Sequence, residues 1–249
     1  MSCESELNKK INYTEIKNFD YADYRVAWEK ALKAEISTTF PLHLDIELTS
    51  ECNLRCKMCW QFKDPNAFPK GMMKFDLFKK IIDEGVQNGL CAIKLQSRGE
   101  AMMHPKIFEF SKYAKSKGIK DIHLTTNGTL FMKPKKFEKF FESGIDKLIF
   151  SIDSAHDESI EEIYKTKKPN IREYFKKIGQ IKKEKKLNKP YLVVQTFAER
   201  SQRDKVYENL RKEFEYANHI NINTLFESNP NKSAADMLSN DFEYLPCSY

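Results

Sequence analysis

The sequence predicts an α/β fold: a partial (β/α)6, TIM-like barrel with one parallel sheet, helices on its outer face and a short helical lead-in. Three observations predict it. Strand patterns recur six times with helical patterns between them, the order that builds right-handed βαβ units and a parallel sheet. Within the strand patterns apolar and polar residues alternate, whereas a sheet covered by helices on both faces reads as nearly continuous apolar runs. The chain has 249 residues, 41% of them hydrophobic, enough for one barrel-type domain of ~250 residues.

Residues 1–40 form the lead-in, where Tyr24, Ala27, Trp28, Ala31 and Leu32 mark one face of a short helix able to cap the main domain. The barrel is expected over 41–228. Its strands are expected at His43–Thr49, Cys91–Ser97, Asp121–Thr126, Lys147–Asp153, Tyr191–Phe197 and His219–Thr224. Helices are expected at Phe75–Asn88, Pro105–Lys117, Pro134–Ser143, Asn170–Lys186 and Gln202–Tyr216. Gly89, Gly118 and Gly144 fall just past three of them, where a left-handed cap is wanted. In the first strand His43, Asp45, Glu47 and Thr49 oppose Leu44, Ile46 and Leu48; later strands set Lys94 and Gln96, His123 and Thr125, and Asn221 and Asn223 against apolar neighbours. If the sheet curls, these polar faces line a lumen suited to a large polar ligand rather than a dry core.

The composition narrows the function classes. A net charge of +6 is mild, and the lysines of 165–189 are interleaved with Ile171, Tyr174, Phe175, Ile178 and Ile181 at helical spacing, the solvated face of an amphipathic helix. No aromatic and basic stripe accompanies them, so nucleic acid is disfavoured as a partner. No segment approaches the ~18 apolar residues needed to cross a membrane. Met1 to Lys10 has neither the basic start nor the apolar run of a secretory signal. Six cysteines, three of them clustered, do not make a disulfide scaffold, and a reducing compartment, the cytoplasm, is expected.

The clustered cysteines lie in Cys52-Asn53-Leu54-Arg55-Cys56-Lys57-Met58-Cys59, just past the first strand. Close thiolates suit a soft metal centre, zinc or an iron–sulfur cluster. Structural zinc closes with four ligands, and the loop offers no fourth cysteine or histidine. The spacing resembles that of the radical SAM family. The resemblance implies a [4Fe–4S] cluster held by Cys52, Cys56 and Cys59, with an open iron that binds the amino and carboxylate groups of S-adenosylmethionine (SAM). Reductive cleavage of SAM then gives a 5′-deoxyadenosyl radical that abstracts hydrogen from a substrate.

Other segments carry the resemblance further. Ser97-Arg98-Gly99-Glu100-Ala101 is similar to the family's Gly-Gly-Glu-Pro element, with Arg98 and Ala101 as departures, and implies that Gly99 and Glu100 hold the SAM amino group. Thr126 and Asn127, with Ser151 and Asp153, resemble positions near the ribose and methionine of SAM, and Gln195 shares the lumen face. Met58 and Trp60 flank Cys59, where the family places bulky groups against the adenine. His43, His104 and His123 read as structural, so no catalytic residue is named. Tyr244-Leu245-Pro246-Cys247 resembles the first step of the cysteine-rich SPASM extension, so 229–249 is expected to be the start of a truncated one. A flavodoxin or ferredoxin-type electron donor is implied, with a small polar molecule such as a carbohydrate, or a peptide, as substrate. A non-catalytic zinc or iron–sulfur electron-transfer protein and an RNA-modifying member of the family are the alternatives.

Overall fold

The alternating strand patterns form six parallel strands, and each lies beside the next one in the chain. A computed structural model describes residues 20–224, apart from 58, 60, 62–63, 65–68, 153 and 164–168. The strands are β1 (His43–Asp45), β2 (Ala92–Lys94), β3 (Asp121–Thr126), β4 (Lys147–Ser151), β5 (Tyr191–Ala198) and β6 (His219–Thr224), in the sheet order β1-β2-β3-β4-β5-β6. β1 and β6 do not pair with each other among the described residues, so the barrel is open.

The helices are α1 (Tyr21–Leu32), α2 (Phe75–Gln87), α3 (Ile107–Ser116), α4 (Pro134–Phe141), α5 (Ser154–Ile163), α6 (Ile171–Glu184) and α7 (Arg203–Glu213). Their starts are chemically marked. Asp20 accepts the Asp23 N–H ahead of α1, Asn170 accepts the Glu173 N–H ahead of α6, and proline opens α4. Gly89, Gly118 and Gly144 all take positive φ at their expected caps. The main core lies between the sheet's outer face and the helices: Ile93, Leu124, Leu148 and Phe150 meet Phe78, Phe110, Phe140 and Phe175.

Three expectations are corrected. β1 and β2 stop at Asp45 and Lys94, short of Thr49 and Ser97, because beyond them β1's continuation changes partner. There Met73 N–H donates to Leu48 O (2.8 Å), Ser50 N–H to Gly71 O (3.1 Å), and Thr49 faces Met72 in an antiparallel bridge. A helix not expected from the sequence, α5, follows β4. The lower lumen is also not an open polar cavity. In register, Asp45, Lys94, His123 and Lys147 stand side by side, and α1 closes the space beneath them.

Tyr24 and Ala27 of α1 pack on Leu42, Cys91 and Ala92, and the Trp28 ring lies 5.2 Å from that of His43. Asp121, His123 and Thr125 are buried. The charges answer one another: His43 Nε2 is 3.0 Å from Asp45 Oδ1, and His123 Nε2 is 2.8 Å from Asp121 Oδ2, though off the line of a hydrogen bond. Burial lowers the pKa of both His123 and Lys147, the cost of taking a cation out of water. No helix among the described residues is long and apolar enough to cross a membrane.

Candidate metal and cofactor site

The cysteine loop leaves the carboxyl end of β1, the end at which parallel α/β folds bind ligands. Its neck is sewn shut: Gly71 N–H donates to Ser50 Oγ (2.8 Å) and Thr49 Oγ1 donates to Gly71 O (3.1 Å). Between the two sides of that neck, Cys52, Cys56 and Cys59 line one cavity of about 70 Å³ with Glu51, Arg55 and Gln61. Cys56 is buried, and Cys52 and Cys59 are half-buried. Burial pushes the Cys52 thiol up to about 11, so it holds its proton until a metal displaces it. Leu54 N–H lies 3.5 Å from the Cys52 sulfur, and Arg55 Nη1 donates to Cys52 O (2.6 Å) and Leu54 O (2.8 Å), bracing the loop from within.

Among the described residues no three His, Cys, Asp or Glu side chains converge on a point that would hold a single metal ion. Three soft ligands around one shared cavity, without a fourth, fit a multi-iron cluster with one open iron.

The β2 end is pressed against the loop. A Cβ on Gly99 would lie 2.1 Å from Thr49 O and 2.6 Å from Glu51 O, so only glycine lets the two backbones meet. Glu100 N–H then donates to Glu51 O (2.8 Å). Arg98, which stands in place of a glycine, makes a two-pronged pair with Glu47 (2.8 and 2.6 Å), and that bonding holds Glu47 below the usual carboxylate range.

Glu100 is buried with its carboxylate turned into the protein. Oε1 accepts Met102 N–H (3.0 Å) and Thr126 Oγ1–H (2.7 Å), and Oε2 accepts Asn127 N–H (2.8 Å). Burial pushes its pKa up while the three donors pull the other way. Thr126 Oγ1 also accepts Gly128 N–H (3.0 Å). The Asn127 side chain joins Asn53 of the cysteine loop and Thr129: Asn127 Nδ2 donates to Asn53 Oδ1 (3.1 Å), Asn53 Nδ2 to Thr129 Oγ1 (2.7 Å), and Thr129 Oγ1 to Asn127 Oδ1 (2.7 Å). Both β3-end side chains named from the sequence thus bond to the protein itself.

Ser151 and Gln195 are register neighbours on β4 and β5, both half-buried, and Gln195 Oε1 accepts Asn221 Nδ2 (3.4 Å). Trp60, Asp153, Met58 and Cys247 lie outside the described residues. The structure therefore gathers the three cysteines, Gly99, Glu100, Thr126 and Asn127 at one end of the sheet, with Ser151 and Gln195 on the neighbouring strands. Sequence reasoning missed Asn53 and Thr129, the only signal for the first being its place beside Cys52, and it put Asn221 on the lumen face without naming it as a site residue. A larger hollow of about 260 Å³, among Lys182, Lys183, Lys186 and Asn218, lies at the opposite end of the sheet, away from this chemistry.

The sequence profile of the Radical SAM superfamily matches residues 46–188, a span from just past β1 through α6 that includes all three cysteines. A tungsten-containing aldehyde ferredoxin oxidoreductase cofactor-modifying protein of Pyrococcus furiosus is 36% identical over 112 residues, 45% of this chain and 30% of that protein. An AdoMet-dependent heme synthase of Methanosarcina barkeri is 35% identical over 122 residues, 49% of this chain and 34% of that protein. The chain thus spans about a third of the length of these relatives. The crystal structure of BtrN in complex with AdoMet and 2-DOIA superposes with a TM-score of 0.50 at 17% identity, covering 76% of this chain and 71% of that one, a likeness of fold. Superfamily members are enzymes that use a [4Fe–4S] cluster and SAM. With the profile spanning residues 46–188 of the 249, the chain belongs to the radical SAM superfamily.

Proposed function

We propose that Cys52, Cys56 and Cys59 hold a [4Fe–4S] cluster and that the carboxyl ends of β2 to β5 receive SAM beside it. The observation that carries this reading is the single cavity shared by the three thiols, fastened directly to the β2 end through Gly99 and Glu100. When bound, the cluster and SAM together supply a reductively generated 5′-deoxyadenosyl radical able to take hydrogen from an unreactive carbon. The chain's own residues do the rest. The pinched neck fixes the loop, and buried Cys56 and Leu54 keep water from one side of the cavity. Ser151, Gln195 and Asn221 offer hydroxyl and amide groups to a polar ligand on the lumen side. Glu100 acts on SAM chiefly by fixing the β3 end, with one acceptor position of Oε2 remaining for an ammonium group.

The substrate in this reading is a small polar molecule such as a carbohydrate, or a peptide, bound in the upper lumen, since α1 and the paired charges close the lower one. A flavodoxin or ferredoxin-type protein in the cytoplasm supplies the electron. The test is anaerobic reconstitution followed by SAM and dithionite. About four irons per chain and 5′-deoxyadenosine detected by mass spectrometry are expected. One zinc per chain with intact SAM would overturn the reading.

A further inference from the structure

Asn53, Asn127 and Thr129 form a closed ring of hydrogen bonds in which each side chain donates to the next: Asn53 to Thr129, Thr129 to Asn127 and Asn127 back to Asn53. The direction of the ring follows from one backbone group. Thr129 N–H donates to Asn127 Oδ1 at 3.0 Å, so that atom must be the amide oxygen and the amide nitrogen must face Asn53. Asn53 then presents its oxygen to Asn127 and its nitrogen to Thr129 Oγ1, which leaves the hydroxyl proton free to point at Asn127 Oδ1. Flipping either amide sets donor against donor.

One side of the ring is rigid. Thr129 is fully buried and Asn127 nearly so. Gly128 between them has φ +75°, and a Cβ there would meet the Phe150 ring at 2.6 Å and Ile171 at 2.8 Å. Glu100 holds the same turn from below through Asn127 N–H (2.8 Å). The other side is Asn53, the residue after Cys52, in a loop whose neck is closed at Ser50 and Gly71. The ring therefore joins the segment carrying the metal ligands to the turn at the β3 end, across more than seventy residues of chain.

We infer that Asn53 and Thr129 are positioning residues: through Asn127 they hold the cysteine loop at a fixed offset from the β3 turn, and so set the distance between the cluster and the SAM site. This rests on the cluster and SAM reading above. Neither residue supplies a metal ligand, so the three thiols load iron without the ring. What the ring supplies is the fraction of molecules with loop and turn in the binding-competent arrangement, and apparent affinity falls with that fraction. Because the three bonds close on one another, removing either end breaks the same unit.

The experiment uses Asn53→Ala, Thr129→Val, their double variant and Thr129→Ser, each in the full chain. In the metal-free proteins, amide hydrogen exchange of residues 51–57 is followed, which needs neither cluster nor SAM. Exchange is expected to quicken about tenfold in Asn53→Ala and Thr129→Val, and to match the parent in Thr129→Ser, which keeps the hydroxyl. In reconstituted proteins, iron per chain should match the parent while SAM affinity falls roughly tenfold. The double variant should be no worse than either single, and the SAM-induced change in the reduced cluster's EPR spectrum should weaken in parallel. Parent-like exchange in both Asn53→Ala and Thr129→Val would overturn the inference. So would full additivity in the double variant, or SAM affinity within about twofold of the parent. A parent that takes up no iron, or binds no SAM, would instead refute the underlying reading, and the exchange measurement would still decide whether the ring restrains the loop.

Discussion

Glu100 shows how far a single residue can be read from its neighbours in sequence. The family resemblance of Gly99-Glu100 implies a partner for the SAM ammonium, yet the carboxylate accepts Met102 N–H, Thr126 Oγ1–H and Asn127 N–H. Two of those partners lie 26 and 27 residues away, and nothing in one sequence pairs them. Glu100→Gln tests the clamp. Whichever way the amide turns, its NH2 opposes the N–H of Met102 or of Asn127, so stability should fall by about 1–3 kcal/mol, with weaker SAM binding as the β3 end loosens. Parent-like denaturation of this variant would show that the carboxylate does not hold the turn. His104, expected from the sequence to be structural, bonds to backbone groups on both ring nitrogens. Its Nδ1 accepts Lys106 N–H (3.2 Å) and its Nε2 donates to Met73 O (3.1 Å), a pattern only the neutral ring satisfies. Burial holds its pKa below the ordinary 6.5. The unfolded chain therefore takes up the proton first on acidification. Its contribution to stability is complete above about pH 6.5 and is lost as pH falls through the folded value. His104→Gln, which keeps a donor near Nε2 but does not titrate, should flatten the decline in melting temperature between about pH 7.5 and 5.5. An unchanged slope would assign the acid sensitivity to other groups.

Six strands and six of the seven helices, all but α5, were legible from period and caps alone, because each buries one regular apolar face. What failed had a weak or displaced signal. α5, Ser-Ala-His-Asp-Glu-Ser-Ile-Glu-Glu-Ile, carries only Ile160 and Ile163 as large apolar residues, too few to mark a face. β1 was drawn too long because Ile46 and Leu48 keep the strand alternation, while Ile46 N–H still reaches Lys94 O on β2 and Leu48 O already accepts Met73 N–H from the returning chain rather than extending the ladder. α1 was foreseen as a cap, but not that it closes the lumen from the amino end. Tyr24 is its anchor, fully buried with Ala27 against Leu42, Cys91 and Ala92. Tyr24→Ala should therefore destabilise the fold by about 3–5 kcal/mol, as for other buried aromatic truncations. A loss under about 1 kcal/mol in urea denaturation would mean that α1 rests on the barrel without sealing it.

The molecule divides its work between the two ends of one sheet. At the amino end α1, Cys91 and the paired charges below the lumen contribute stability; at the carboxyl end the pinched cysteine loop, the Gly99 contact and the Asn53 ring hold ligand-binding groups in place. This is the division expected where parallel strands point their carboxyl ends at the chemistry. The cysteines allow it to be tested, because the same residue type serves both ends. Cys91 is buried under α1, its thiol is pushed up to about 11 by burial, and its Sγ donates to Gly89 O (3.3 Å), so it is a small packed side chain and not a ligand. Cys56 lines the cavity shared with Cys52 and Cys59. Cys91→Ala should lower stability by about 1 kcal/mol and leave iron and acid-labile sulfide at parent levels. Cys56→Ala should abolish the brown absorbance and SAM cleavage with little effect on the melting of the metal-free protein. Loss of iron from a folded Cys91→Ala protein would put a ligand at the amino end and break the division. Full iron and SAM cleavage in Cys56→Ala would overturn the three-cysteine site, because among the described residues the loop would then offer only Cys52 and Cys59.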